Sequence, residues 1–251
     1  MQPYFCTLRD GGAIVVKVEL HSHSADDPRD YIPHSTCELI ERAARLGYNA
    51  LAITLHDQQI DLRPFADLAR QHNLTLIPGI ERTIQGKHVL LLNFSRAGAE
   101  GVETFEDLAR LRTRERGLVV APHPYYPDPS CLGRFMESCA DLFDAVEFNA
   151  MFTPSINFNT RAVRWAMRHR KPLVGNGDVH RLRQLGTTFS LVDAANTPDA
   201  ICEAIRRHRV QVVAAPLPFH TAAGLMASMW AANLRSSAAQ SQSNEHSPAR
   251  V

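Results

Sequence analysis

The chain has 251 residues, 45% of them hydrophobic and 21% charged, enough length and apolar content for one buried core, which excludes a disordered or fibrous chain. A formal charge of +1 and a pI near 7.8 leave no broad basic field of the kind that drives nonspecific binding to nucleic acid or acidic membranes. Five scattered cysteines without a CxxC pair read as reduced thiols. The amino terminus lacks a basic segment followed by an apolar run, and no stretch nears the ~18 apolar residues that span a bilayer, so the expected location is cytoplasmic, with no membrane partner.

In chain order, apolar runs of strand length fall at 13–20, 50–54, 74–78, 88–94, 118–121, 143–147, 172–175 and 188–192. Segments of helical periodicity are interleaved with them at 36–47, 63–72, 104–116, 158–170 and 197–208, the first with Thr36 as a start signal and Gly47 as a stop. Strand and helix in alternation predict a parallel sheet, and about eight strands predict a single α/β domain closed as a distorted TIM-like barrel. The barrel is expected over 1–220. A carboxy-terminal helix is expected at 221–235, and 236–251 forms a small, polar tail with too little apolar surface to order itself.

The histidines and acids follow the strands. The first strand runs into His21-Ser22-His23, and residues two apart on extended backbone point to one side, so both imidazoles can reach one ion. The second leads into His56-Asp57, the third into Glu81, the fifth into His123 and the seventh into Asp178-Val179-His180. A lone histidine near a strand end is more often a hydrogen-bonded core residue than a ligand. Here the same end of five strands carries ligand-type groups, and in a parallel barrel those ends share the face that holds active sites. Neutral imidazole with carboxylate suits divalent transition metals.

The order and spacing of ELHSHS (19–24), AITLHD (52–57), PGIE (78–81), GKHVLL (86–91), APHP (121–124) and GNGDVH (175–180) resemble the polymerase and histidinol phosphatase (PHP) family of metal-dependent phosphoesterases, over most of the chain. The resemblance implies a distorted (β/α)7 barrel and two or three divalent ions, zinc, manganese or iron. It implies a first ion held by His21, His23, Glu81 and Asp178, and a second held by Glu81, His88 and His123, with Glu81 bridging. His88 is selected by the resemblance alone, through a short excursion at 85–87 that turns the chain back. A third ion would take His56, His180 and a residue from the loop after the first motif, where Asp26, Asp27 and His34 are available and His34, directly before the helix at 36–47, is preferred.

The implied reaction is hydrolysis of a small phosphate ester, such as a histidinol phosphate-like monoester or a nucleotide, by metal-activated hydroxide. Neither GxSxG nor a P-loop is present to suggest a protein nucleophile. Asp57, His180 or a metal-bound water would protonate the leaving group, and Arg82 and Arg181, which directly follow ligand positions, are the candidates for holding substrate phosphate. Near-neutral charge makes nucleic acid an unexpected partner, and oligomeric state is left open. Two other classes compete: an amidohydrolase-type C–N or C–O hydrolase, whose bridging group follows the fourth strand rather than the third, and a non-catalytic metal-binding protein, which predicts missing ligands.

Overall fold

The computed structural model of the chain describes residues 14–229 and 231. Residue 13 of the first expected strand, most of 230–235 at the end of the expected terminal helix, and the tail at 236–251 lie outside the described residues.

Nine strands form one sheet: β1 (Val15–Glu19), β2 (Ala50–Ile53), β3 (Thr75–Ile84), β4 (Lys87–Leu92), β5 (Leu118–Ala121), β6 (Ala145–Asn149), β7 (Leu173–Asn176), β8 (Thr188–Asp193) and β9 (Val210–Ala214). Their spatial order is β7-β6-β5-β4-β3-β2-β1-β8-β9. The two ends approach each other, because Ser190 Oγ accepts from the Gly175 amide at 2.8 Å and donates to the Gly175 carbonyl at 3.2 Å. Gly175 is required here: a Cβ on it would lie 2.8 Å from the Phe189 carbonyl oxygen and from Val212. The result is the nearly closed, TIM-like α/β barrel expected from the sequence.

The sheet is not all parallel. Pairs β1/β2, β2/β3, β5/β6 and β6/β7 are parallel, whereas β4 is antiparallel to β3 and β5, and β8 is antiparallel to β1 and β9. The first departure has a local cause. Gln85 and Gly86 both have positive φ, 50° and 77°, the signature of a tight two-residue hairpin turn, so β4 folds straight back along β3. The second arises because residues 177–187, which hold only the 3₁₀ turn Leu182–Gln184, separate β7 from β8 without the helical crossover that a parallel return uses. Strand β9 and the short α3 (Arg96–Glu100) have no counterpart in the sequence reading.

The other helices are α1 (Thr36–Arg45), α2 (Ala66–Gln71), α4 (Phe105–Arg114), α5 (Asn159–His169) and α6 (Pro198–Arg206), followed by α7 at 219–229. The start of α1 is set by Ser35 rather than Thr36: Ser35 accepts from the Glu38 amide while Glu38 accepts from the Ser35 amide, a reciprocal cap. We expect Ser35→Ala to lower stability by about 1 kcal/mol, read as a lower urea midpoint at constant slope.

Alternate residues of the strands face two sides. Ala50, Ala52, Leu118, Val120 and Val174 pack inside the barrel with Ile201 and Ile205 of α6, while Leu51 and Ile53 pack outward against Leu39 and Ile40 of α1. Arg206 of α6 donates to the Gly117 carbonyl, just before β5, at 2.7 Å. Helix α6 therefore seals the amino-terminal end of the barrel and leaves the opposite end open. The described cysteines, Cys37, Cys131, Cys139 and Cys202, are free thiols. No described helix is long and apolar enough to cross a membrane.

Candidate metal centre

At the carboxyl end of β1, the chain stays extended through His21-Ser22-His23 because it is bridged to the segment after β7: His23 N donates to the Val179 carbonyl and Val179 N to the His21 carbonyl, at 3.1 and 3.2 Å. Ser22 points the other way and donates to the Ala52 carbonyl at 2.6 Å. Both imidazoles are thus directed into the barrel mouth and fully buried. A second isolated bridge, His56 to Glu81, holds the ends of β2 and β3 side by side. His123 and Asp178 have φ of 28° and 48°, left-handed values that a non-glycine residue adopts only under constraint, here as the chain turns off β5 and β7 toward the mouth.

Eight of the side chains selected from the sequence meet in this mouth: His21, His23, His56, Glu81, His88, His123, Asp178 and His180. Their ligand atoms form four overlapping triads, each within 4.8 Å: His21/His23/Glu81, His21/His123/Asp178, His56/Glu81/His88 and His23/His56/His180. Glu81 divides them. Its Oε2 lies 3.4 Å from His21 Nε2, 3.4 Å from His23 Nε2 and 3.1 Å from His56 Nε2, while its Oε1 lies 2.9 Å from His88 Nδ1 and 3.0 Å from His123 Nε2. Asp178 Oδ1 faces His21 Nε2 at 3.4 Å and His180 Nδ1 at 3.3 Å. Ligand atoms about 2.1 Å from a common ion stand roughly 3.0–3.4 Å apart, so these spacings suit shared cations.

The outer nitrogens settle which way each ring presents its lone pair. His21 Nδ1 lies 2.7 Å from Glu147 Oε2, and His23 and His56 Nδ1 each lie 2.9 Å from Asp27 Oδ2. An ionised carboxylate only accepts, so each Nδ1 carries a proton, and the nitrogen left to face an ion is Nε2. His21 Nε2 and His23 Nε2 are buried and have no hydrogen-bond partner. A buried polar atom is rarely left so, and a cation is the partner that this donor set fits. His123 Nδ1 is held by Cys131 Sγ at 3.2 Å.

Electrostatics point the same way. Burial raises the Glu81 carboxyl, but His21, His56 and His88 outweigh it and hold it well below the usual range. Burial likewise opposes charge on His21, yet Asp178, Glu147 and Glu81 together hold that imidazole well above its ordinary value. Against burial, Glu81 and Asp27 push His56 up to about 10, and Asp178 and Asp30 push His180 up to about 9. His23 goes the other way, down to about 4, from burial and from its neighbours His180 and His56. Protons here offset a carboxylate charge that divalent ions would offset better.

Four of the selected residues are placed elsewhere. His34 is buried with Nε2 on the His23 carbonyl at 2.9 Å and does not join the cluster, because the loop 25–34 folds back on β1. From that loop, Asp30 instead reaches the mouth, 3.1 Å from His180 Nε2, while Asp26 is used by Ser24 and Thr36. Asp57 is paired with Arg29 and Arg82 and accepts from the Thr83 amide at 2.7 Å. Arg82 also donates to the Val102 carbonyl at 2.7 Å. Arg181 donates to the carbonyls of His180 and Ser228 at 2.7 and 2.9 Å. The two candidate substrate arginines are therefore engaged in holding the protein together.

Glu147 and Asp30 are acids of the site outside the sequence expectations, and Asp27, expected there only as one option for a third ion, stands behind His23 and His56. Glu147 ends the same strand-end series as the others: besides His21 it accepts from Asn149, Asn176 and the His123 amide at 2.8, 3.0 and 3.2 Å. We expect Glu147→Gln to weaken metal affinity about 10–100-fold with the fold retained, measured by competition with a chromophoric chelator and by circular dichroism.

A family model described as PHP-associated matches residues 157–210. An error-prone DNA polymerase of Pseudomonas aeruginosa is 43% identical over 83 residues, which are 33% of this chain and 8% of the polymerase; the chain spans only a small part of that relative. Among solved structures, a two-domain protein of Bacteroides vulgatus described as containing a predicted PHP-like metal-dependent phosphoesterase superposes with a TM-score of 0.65 at 18% identity, over 85% of this chain and 69% of that one. A lesion-specific endonuclease of Pyrococcus furiosus superposes with a TM-score of 0.55 at 16% identity, over 79% of this chain and 58% of that one.

Proposed function

Starting from the PHP-like fold that this chain has, we propose that it is a metal-dependent phosphoesterase that hydrolyses a small phosphate ester. The observation that carries the reading is the division of Glu81: one carboxylate oxygen addresses His21, His23 and His56, and the other addresses His88 and His123. A carboxylate that serves two donor sets is the arrangement of paired cations. His21, His23, His56, Glu81, His88, His123, Asp178 and His180 would hold two or three divalent ions, of which zinc, manganese and iron suit imidazole with carboxylate. When bound, such ions supply positive charge for a phosphoryl group and make water acidic near neutral pH.

The remaining work falls to the chain. Glu147 and Asp27 hold Nδ1 and fix the tilt of His21, His23 and His56, so each Nε2 is aimed into the mouth before any ion arrives. Where only two ions are held and His180 is left unligated, that ring, with Asp30 at its Nε2 on the floor of the cavity, can pass a proton to a leaving oxygen. Asp57 is held by Arg29, Arg82 and the Thr83 amide, so it is taken up in contacts away from a leaving oxygen.

The test is phosphate release from a panel of phosphomonoesters by protein reconstituted with manganese, zinc or iron, run beside amides and lactones. Phosphate release that a chelator abolishes and added metal restores is the expected result. Turnover confined to the amide and lactone panel, or His21→Ala and Asp178→Ala as active as the parent, would overturn it.

A further inference from the structure

The cavity over the cluster has a volume of about 430 Å³. Its floor is made of imidazoles and acids, but its walls have another chemistry. Tyr126, Phe152 and Phe158 come from the segments after β5 and β6, and Phe219, Met226 and Met229 come from α7. Among the described residues, no lysine or arginine lines it. Four arginines near the lining in sequence are committed: Arg29 and Arg82 to Asp57, Arg181 to the His180 and Ser228 carbonyls, and Arg161 over the Tyr125 ring at 4.6 Å.

This separates classes of substrate. Sites that track a polynucleotide combine aromatic platforms with a basic groove, because each backbone phosphate needs a countercharge. Here the aromatic surface is present and the basic groove is not. Asp30 and Asp128 on the lining would repel a second phosphate that the cluster cannot reach. Meanwhile Phe219 and Met226, 67% and 57% exposed, offer apolar surface at the rim that a ligand body can remove from water, and methionine adapts to irregular shapes.

Resting on the proposed phosphoesterase reading, we infer that the substrate is a monophosphate ester of a neutral, apolar or aromatic alcohol. Its single phosphate meets the cluster on the floor, and its body lies between the segments 151–158 and α7. A polynucleotide or a polyphosphorylated metabolite does not fit this lining.

The experiment compares phenylphosphonate, methylphosphonate and a short oligothymidylate as ligands of the zinc-loaded full chain by calorimetry, with phenyl phosphate and glycerol phosphate as substrates. Phenylphosphonate is expected to bind at least tenfold more tightly than methylphosphonate, and phenyl phosphate to have at least a tenfold higher kcat/KM than glycerol phosphate. In Met226→Asp, and separately in Ile156→Asp on the facing segment, the phenyl-to-methyl binding ratio is expected to fall below threefold. Equal affinities for the two phosphonates, or tightest binding of the oligonucleotide, overturn the inference and leave the phosphoesterase reading standing if glycerol phosphate is cleaved. If neither ester is cleaved, the phosphoesterase reading fails, and the phosphonate ratio still decides what the walls select.

Discussion

Glu81→Ala is expected to reduce bound divalent metal from two or three ions per chain to one or none and to lower the rate of ester hydrolysis by about a thousandfold or more. The reason is its place between two donor sets, five histidine nitrogens in all, with both carboxylate oxygens in use and a side chain 1% exposed. Asp178 also joins His21 and His123 within 4.8 Å, but its contacts under 4 Å are to His21, His23 and His180, and Glu147 lies on the outer side of His21 and at the His123 amide. Glu81→Asp keeps the charge but shortens its reach by one methylene, and falls between. Elemental analysis of the purified variant, with initial rates at saturating metal, checks both halves. Full metal content with near-parent turnover would remove Glu81 from the centre of the chemistry.

The second large effect is on stability. Ions that bind the folded chain and not the unfolded one stabilise it by about 4 kcal/mol at a thousand times the dissociation constant, and a chain of this size gains roughly 2–4 °C in Tm per kcal/mol. Metal-stripped protein should therefore melt on the order of 10 °C lower than metal-loaded protein. Because Glu81 and Asp27 hold His56 up to about 10, and Asp178 holds His180 up to about 9, both rings are protonated in the ion-free protein at neutral pH. A ligand nitrogen must give up that proton, so metal binding should release protons, and apparent affinity should weaken as pH falls below about 9. Titration calorimetry in two buffers of different ionisation enthalpy measures the release. Identical heats in the two buffers would contradict it.

The positions that carry the mouth were legible because a strand end is a local feature. His21, His23, His56, Glu81, His123 and Asp178 each follow an apolar run directly, and spacing alone was enough to align them. His88 was not legible in that way. It sits near the start of β4 on a hairpin, where only the positive φ of Gln85 and Gly86 explains its orientation. Residue type with position could have found Glu147: it is an acid near the carboxyl end of β6 in the same series, and it was drawn only as the last residue of a strand.

The loop 25–34 was illegible for a different reason. Asp26, Asp27, Asp30 and His34 are all chemically suitable, and which one faces the cluster depends on long-range contacts. His34 satisfies the His23 carbonyl, whereas Asp27 spans His23 and His56. The surroundings of the arginines were illegible likewise, since adjacency in sequence to His180 or Glu81 does not reveal that Val102, Asp57 and Ser228 compete for their donors. Strand β9 and the antiparallel course of β8 depend on how the barrel closes, which Gly175 permits by having no side chain.

The guanidinium of Arg181 grips the backbone of His180 with one nitrogen and the last described turn of α7 with another. Roof and floor of the cavity are thereby one mechanical unit. The apolar wall and the imidazole beneath it are thus tied through one side chain, which belongs to neither.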